Sequence, residues 1–135
     1  MWLPGSYSGY KNANPNLFVI FAADRNNSNS SFLTNVGVIS EKVHSDINLE
    51  AYLYESSKNF PPEIRIVEMK TSFGEGYEIG KIITETSIGV SGKQIYYVIK
   101  DGGTVWTVIF STGASKFEAQ LPTFEASIRT FSTKL

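Results

Sequence analysis

The chain has 135 residues, 41% hydrophobic, 13% aromatic and 19% charged, a composition able to bury an ordinary core in one domain without disulfide or metal staples. Twelve Lys and Arg against thirteen Asp and Glu leave a net charge of -1, without the basic excess that binding a phosphate backbone needs, so no nucleic-acid partner is expected. Having no cysteine, it can form neither disulfides nor thiolate metal sites, and no apolar run approaches the roughly 20 residues of a membrane span.

The opening MWLPGSYSGY lacks the basic and apolar regions of a signal peptide. Trp2, Leu3 and Pro4 at the very start read as a mature or excised fragment of a longer precursor, and residues 1–135 read as a single domain. Trp2, Tyr7 and Tyr10 form an aromatic cluster that either plugs the end of a sheet or presents a binding surface, plugging being the simpler account. Leu17 to Ala23, LFVIFAA, is a short apolar run between loops, hence a buried strand, and Asn26 to Ser31 reads as a mobile loop. A second strand follows in TNVGVISEKV, with Val36 and Val38 on one side. Leu49, Leu53, Ser56 and Phe60 then recur at helical spacing, with Asn48 or Asp46 as N-cap and Pro61-Pro62 as the stop.

Four β-branched and aromatic segments come next: Ile64 to Ser72, Tyr77 to Ile88, Lys93 to Lys100 and Thr104 to Thr112. They read as an antiparallel meander. Between the last two, Gly102-Gly103 suits a two-residue turn needing positive φ, which sets Lys100 opposite Val105, Ile99 opposite Trp106, Tyr97 opposite Val108 and Ile95 opposite Phe110. One face of that hairpin is then continuously apolar, and the other, with Tyr96, Val98, Val105 and Ile109, is too apolar for water. A covering helix is the simple account of that second face; a partner or ligand groove is the alternative. The chain closes on a stripe of Phe117, Leu121, Phe124, Ile128 and Phe131. Ser115 and Glu118 fit a capping box, and Pro122 is expected to separate a first helical turn from the main helix.

Little in the chain points to catalysis. SFGEGYEIGK, Ser72 to Lys81, is rich in glycine, but a phosphate loop needs glycine five residues before the Gly-Lys pair, where Glu75 stands, and Ser or Thr after it, where Ile82 stands. The dinucleotide pattern fails at Ile79, and strand rather than helix follows, so the stretch reads as a turn between strands. Glu75 and Tyr77 then sit at the sheet's rim, available to a partner. The only histidine, His44, lies near Asp46 and Glu41, with no elbow motif marking a nucleophile for it, and reads as a solvated loop residue. One histidine cannot build the clusters typical of zinc or iron, and the acidic residues lack EF-hand spacing, so no metal or other cofactor is expected.

The order of these pieces resembles the PsbP-like family, which takes in the extrinsic P subunit of photosystem II, its cyanobacterial relatives, and related bacterial lipoprotein and nuclear-import factor domains. The matching segments are WLPGSYSGY, NVGVISEKV followed by INLEAYLYES, YYVIKDGGTVWTVIFST with its glycine turn, and the closing helix ending SIRTF. The resemblance implies an α+β fold: an αβα sandwich around a central antiparallel sheet of about six strands with two main helices. It also implies a non-enzymatic, extracytoplasmic domain that docks on a protein partner or membrane complex, in the periplasm, in a thylakoid lumen or on a lipid anchor. The flexible N-terminal arm of the plant photosystem proteins has no counterpart here. The residues offered as contacts are Trp2, Tyr7, Tyr10, His44, Asp46, Glu75 and Tyr77. A small-ligand domain, with a pocket between the N-terminal segment and the sheet lined by Trp2, Tyr7 or Tyr96, is the alternative. The oligomeric state is not legible.

Overall fold

The computed structural model describes residues 3–9, 20–24, 34–73, 78–86 and 92–131. Along the chain these form β1 (Tyr7–Gly9), β2 (Ile20–Asp24), β3 (Asn35–Lys42), α1 (Leu49–Ser57), β4 (Ile64–Phe73), β5 (Glu78–Thr86), β6 (Gly92–Asp101), β7 (Thr104–Gly113), a 3-10 turn (Ala114–Lys116) and α2 (Phe117–Arg129). The strands make one antiparallel sheet in the order β1-β2-β3-β7-β6-β5-β4, with the α1 crossover carrying the chain from the sheet's middle to its far edge. This is seven strands where about six are expected; the addition, β1, is only three residues long and pairs Tyr7 with Asp24. Residues 17–19 of the expected first strand and the Asn26–Ser31 loop lie outside the described residues.

The β6–β7 hairpin has the register that its glycine turn dictates. Lys100 faces Val105, Ile99 faces Trp106, Tyr97 faces Val108 and Ile95 faces Phe110. Of the two turn glycines only Gly102 takes a left-handed φ, +57°, a conformation that a side chain would make costly. Because alternate residues face opposite ways, the hairpin is apolar on both sides, and each side has its own helix. Phe117 and Phe124 of α2 bury themselves with Ile95, Tyr97, Val108 and Phe110, and Val36 and Val38 of β3 join them. Phe124 stacks on Phe110, ring centroids 4.5 Å apart. On the opposite face Leu49 and Leu53 of α1 cover Ile82, Val98 and Val105. Each fully buried side chain of this size contributes about 1.5–3 kcal/mol.

Both helices depart from expectation at their ends. Asn48 caps α1 as expected, its Oδ1 accepting the Ala51 N–H at 3.0 Å, but α1 stops at Ser57; Phe60 lies past its end and reaches the same core from the connection, 5.4 Å from the Tyr96 ring. Ser115 and Glu118 form no capping box. Ser115 sits inside the 3-10 turn, and Lys116, the residue before α2, is helical and makes no side-chain cap. Because Ser115 lies inside the 3-10 turn that leads into α2, it does not take the extended N-cap conformation from which its hydroxyl would accept a first-turn N–H. Nor does Pro122 split the helix, which is continuous from Phe117 to Arg129. Proline removes one N–H and crowds one carbonyl, a local cost, whereas Phe117 before it and Phe124 after it are both buried in one core and hold the two halves in line.

The described residues of SFGEGYEIGK are strand. Ser72 and Phe73 end β4, Glu78 to Lys81 begin β5, and Phe73 pairs with Glu78 across the connection, whose residues 74–77 lie outside the described ones. Lys81 sits on a strand and binds Glu125 of α2 at 2.8 Å. The third glycine has a different role: a Cβ on Gly80 would lie 2.5 Å from Leu53 Cδ1, so its lack of a side chain is what lets α1 approach β5. On α1's other flank, the Tyr52 hydroxyl donates to the Glu41 carboxylate of β3.

Two measurements follow from this helix-on-sheet contact. Gly80→Ala is expected to lower unfolding stability in urea by about 1–3 kcal/mol through overpacking; in the Leu53→Ala background the same change costs much less, and additive effects would refute the contact. Burial, with Glu41 adding to it, pushes the Tyr52 phenol up to about 12 from 10.0. A folded pKa above the unfolded one makes this contribution complete below pH 10 and lost as pH rises towards 12. Stability is therefore expected to fall across that window and to fall less steeply in Tyr52→Phe; identical slopes would rule the contact out as the source. The Tyr97 phenol, pushed up by burial and by Glu125, contributes to the fall in both proteins.

Candidate functional site

The residues Val43 to Asn48 join β3 to α1 along the rim where β6 and β7 turn. Three hydrogen bonds hold this loop: Val43 N–H to the Gly103 carbonyl at 2.9 Å, Ile47 N–H to the His44 carbonyl at 3.1 Å, and Lys100 Nζ to the Ser45 carbonyl at 2.7 Å. The backbone is thereby fixed to the β6–β7 turn, while the side chains of His44, Ser45 and Asp46 stay exposed. Beside them lies an open cleft of about 350 Å³ lined by Asp46, Ile47, Asn48, Leu49, Glu78 and Lys100. Two carboxylates and one ammonium thus share a shallow concavity whose floor is the start of α1. Its chemistry is polar and ionic, offering two negatively charged acceptors and one positively charged donor.

The structure brings together His44 and Asp46 of the expected contacts, on one exposed loop. Tyr7 is elsewhere: it sits on edge strand β1, paired with Asp24, half-buried against the α2-side core. Trp2, Tyr10, Glu75 and Tyr77 lie outside the described residues. Glu78 and Lys100 are members of the cleft that sequence reasoning missed. The hairpin register placed Lys100 next to the turn, but nothing local in the sequence showed that the β3–α1 loop would reach across to it.

The imidazole of His44 is exposed and makes no hydrogen bond to any described hydroxyl, so the described residues contain no nucleophile and base pair centred on it. Glu41, a possible orienting group, is engaged by Tyr52 instead. Among the described residues no group of three or more His, Asp or Glu could hold a metal ion. Other charged residues brace the fold. Lys93 lies 3.5 Å from Glu85 and 3.9 Å from Glu118, with its ammonium 4.7 Å from the centre of the Phe117 ring. Arg65 binds the same Glu85 and, foremost among its neighbours, holds that carboxyl below the usual range. The Tyr97 hydroxyl is buried without a well-aligned partner among the described residues, close enough to Glu125 for the carboxylate to raise it further. The half-buried Tyr96 donates to Gln94, which donates on to Ser111, a cross-strand row at the other end of the sheet.

No known protein-family model matches the chain, and no curated protein sequence matches it. Solved structures do. PA94 of Pseudomonas aeruginosa, a protein of unknown function, is 12% identical, with 99% of this chain and 87% of that one covered at a TM-score of 0.70. Cyanobacterial PsbP (CyanoP) of Synechocystis sp. PCC 6803 is 15% identical over 96% of this chain and 82% of its own, at 0.67. LpqN, involved in cell envelope biogenesis of Mycobacterium tuberculosis, is 12% identical over 93% and 76%, at 0.64. At such identities the likeness is one of architecture, and it agrees with the segment order of the sequence: the chain has the PsbP-like α+β fold.

Proposed function

We propose that this chain is a non-enzymatic protein-interaction domain, acting outside the cytoplasm by docking on a larger, membrane-associated assembly through the rim formed by the His44–Asp46 loop, Glu78 and Lys100. The observation that carries this reading is the state of that loop: its backbone is pinned by the Gly103 and Lys100 contacts, yet its polar side chains face solvent. A surface ordered before binding loses little entropy on docking. The PsbP-like fold supports the reading, since one neighbour is a cyanobacterial PsbP and another is involved in cell envelope biogenesis. Glu75 and Tyr77, which precede Glu78 in the chain, are further contacts offered by this proposal. No described helix is long and apolar enough to cross a membrane; the association proposed is with a protein of the assembly. The small-ligand alternative gains less: the described clefts are lined by neither Tyr7 nor Tyr96, which pack against the two cores.

Affinity capture with the immobilised domain, from native membranes and from soluble extract, tests the proposal. The expected result is one stoichiometric membrane-complex partner, whose identity reports whether the assembly is photosynthetic, with recovery reduced several-fold by Asp46→Lys. Recovery of no partner, alongside a thermal shift with a metabolite, would overturn docking in favour of ligand binding.

A further inference from the structure

The sheet's far edge gathers the apolar groups that the two helices leave uncovered. Among the described residues the exposed large hydrophobic side chains are Tyr54, Val67 and Met69, between 41% and 56% accessible. Tyr54 is on α1, and Val67 and Met69 are on β4, a strand that α1 contacts. Glu50 and Tyr54, four positions apart on α1, share its flank towards β4, and Glu50 lines, with Leu53, Met69, Lys70 and Thr71, a notch of about 90 Å³ beside the strand. β4 is also the outermost strand of the sheet, ten residues long, and pairs only with β5 among the described strands. A bulge interrupts its register between Ile66 and Glu68, but from Glu68 to Phe73 it runs unbroken opposite Ile83 to Glu78. An edge of this kind offers unpaired backbone groups to another strand.

The charges along that edge identify the occupant. Glu68 and Lys70 are both about half exposed and lie 3.3 Å apart on the face opposite Met69. The geometry points to a second copy of this chain, paired antiparallel along β4 about a two-fold axis through Met69. In that register Glu68 faces Lys70 of the second copy and Lys70 faces its Glu68, so each charge gains an opposite neighbour twice over, while Met69 meets Met69 below the two α1 helices. Moving the axis by one position puts Glu68 on Glu68, or Lys70 on Lys70, and like charges directly opposed are destabilising. The bulge at Val67 keeps the regular ladder short, which makes this a weak, concentration-dependent dimer with one preferred register. The pairing centres on Met69, away from the His44–Asp46 loop, and only the end of β4 at Phe73 adjoins Glu78 of the rim, so the oligomeric state is read separately from docking at that loop.

Light scattering coupled to size exclusion, at the highest soluble concentration, is expected to give a mass approaching twice 15.0 kDa. Glu68→Lys alone and Lys70→Glu alone each return the mass of one chain, and the two together restore the dimer; unchanged thermal unfolding of these surface variants shows that the fold is intact. Because the chain has no cysteine, Met69→Cys offers a clean test of register. Facing Cα atoms on paired antiparallel strands are about 4.5–5.5 Å apart, within reach of a disulfide, so mild oxidation is expected to yield covalent dimer. A single-chain mass for the unmodified protein at every concentration, a dimer that ignores both single charge reversals, or a Met69→Cys variant that stays uncrosslinked would each overturn the proposal.

Discussion

Strands β6 and β7 are apolar on both faces, and that one fact organises the rest of the molecule. A sheet that can leave one side in water needs a single covering layer; this one needs two. Tyr97 and Phe110 point to one side, Val98 and Val105 to the other, and all four are at most 3% exposed. The chain meets the demand with α1 between β3 and β4 on one face and α2 after β7 on the other. The crossover at α1 in turn sends β4 to the far edge and leaves β3 to pair with β7, so the strand order follows from the need to place a helix on each face.

How closely the helices approach then depends on small features. At β5 the approach is allowed by Gly80, which gives Leu53 room against the strand. Under α2 it is the aromatic series Phe110, Phe124 and Phe117 that sets the spacing, with the Lys81–Glu125 and Lys93–Glu118 pairs at the margin. Those pairs are partly exposed, so they contribute little stability individually and act mainly to fix the helix's position.

Much of this was legible in the sequence wherever a signal was local. The hairpin register came directly from Gly102-Gly103 and residue alternation, the start of α1 from Asn48, and the two covering helices from the apolar surplus on both hairpin faces. What failed was of another kind. The capping-box spacing at Ser115 and Glu118 was present, but a 3-10 turn used those residues differently; Pro122 carried a real helix-breaking tendency that the burial of Phe117 and Phe124 outweighed. β1 was too short to show an alternation pattern. The cleft beside the β3–α1 loop was half readable: His44 drew notice as the only histidine, with Asp46 beside it, whereas Glu78 and Lys100 join them only because β3 pairs with β7, a contact between distant segments that no local pattern encodes.

That same pairing has a consequence in chain entropy. The buried hydroxyls of Thr34 and Thr112 meet at 2.7 Å although 78 positions separate them, at the end of the β3–β7 seam. Closure entropy grows with the logarithm of loop length, so drawing these ends together costs about 2–3 kcal/mol more than closing the short turn at Gly102. The meander from β4 to β7 is held by neighbours in sequence, whereas among the described strands β1, β2 and β3 join its ladder through the β3–β7 pairing. The burial of Val36 and Val38 against Phe110 and Val108 offsets that cost, and it ties the amino-terminal wing of the sheet to a nucleus that local contacts can assemble first.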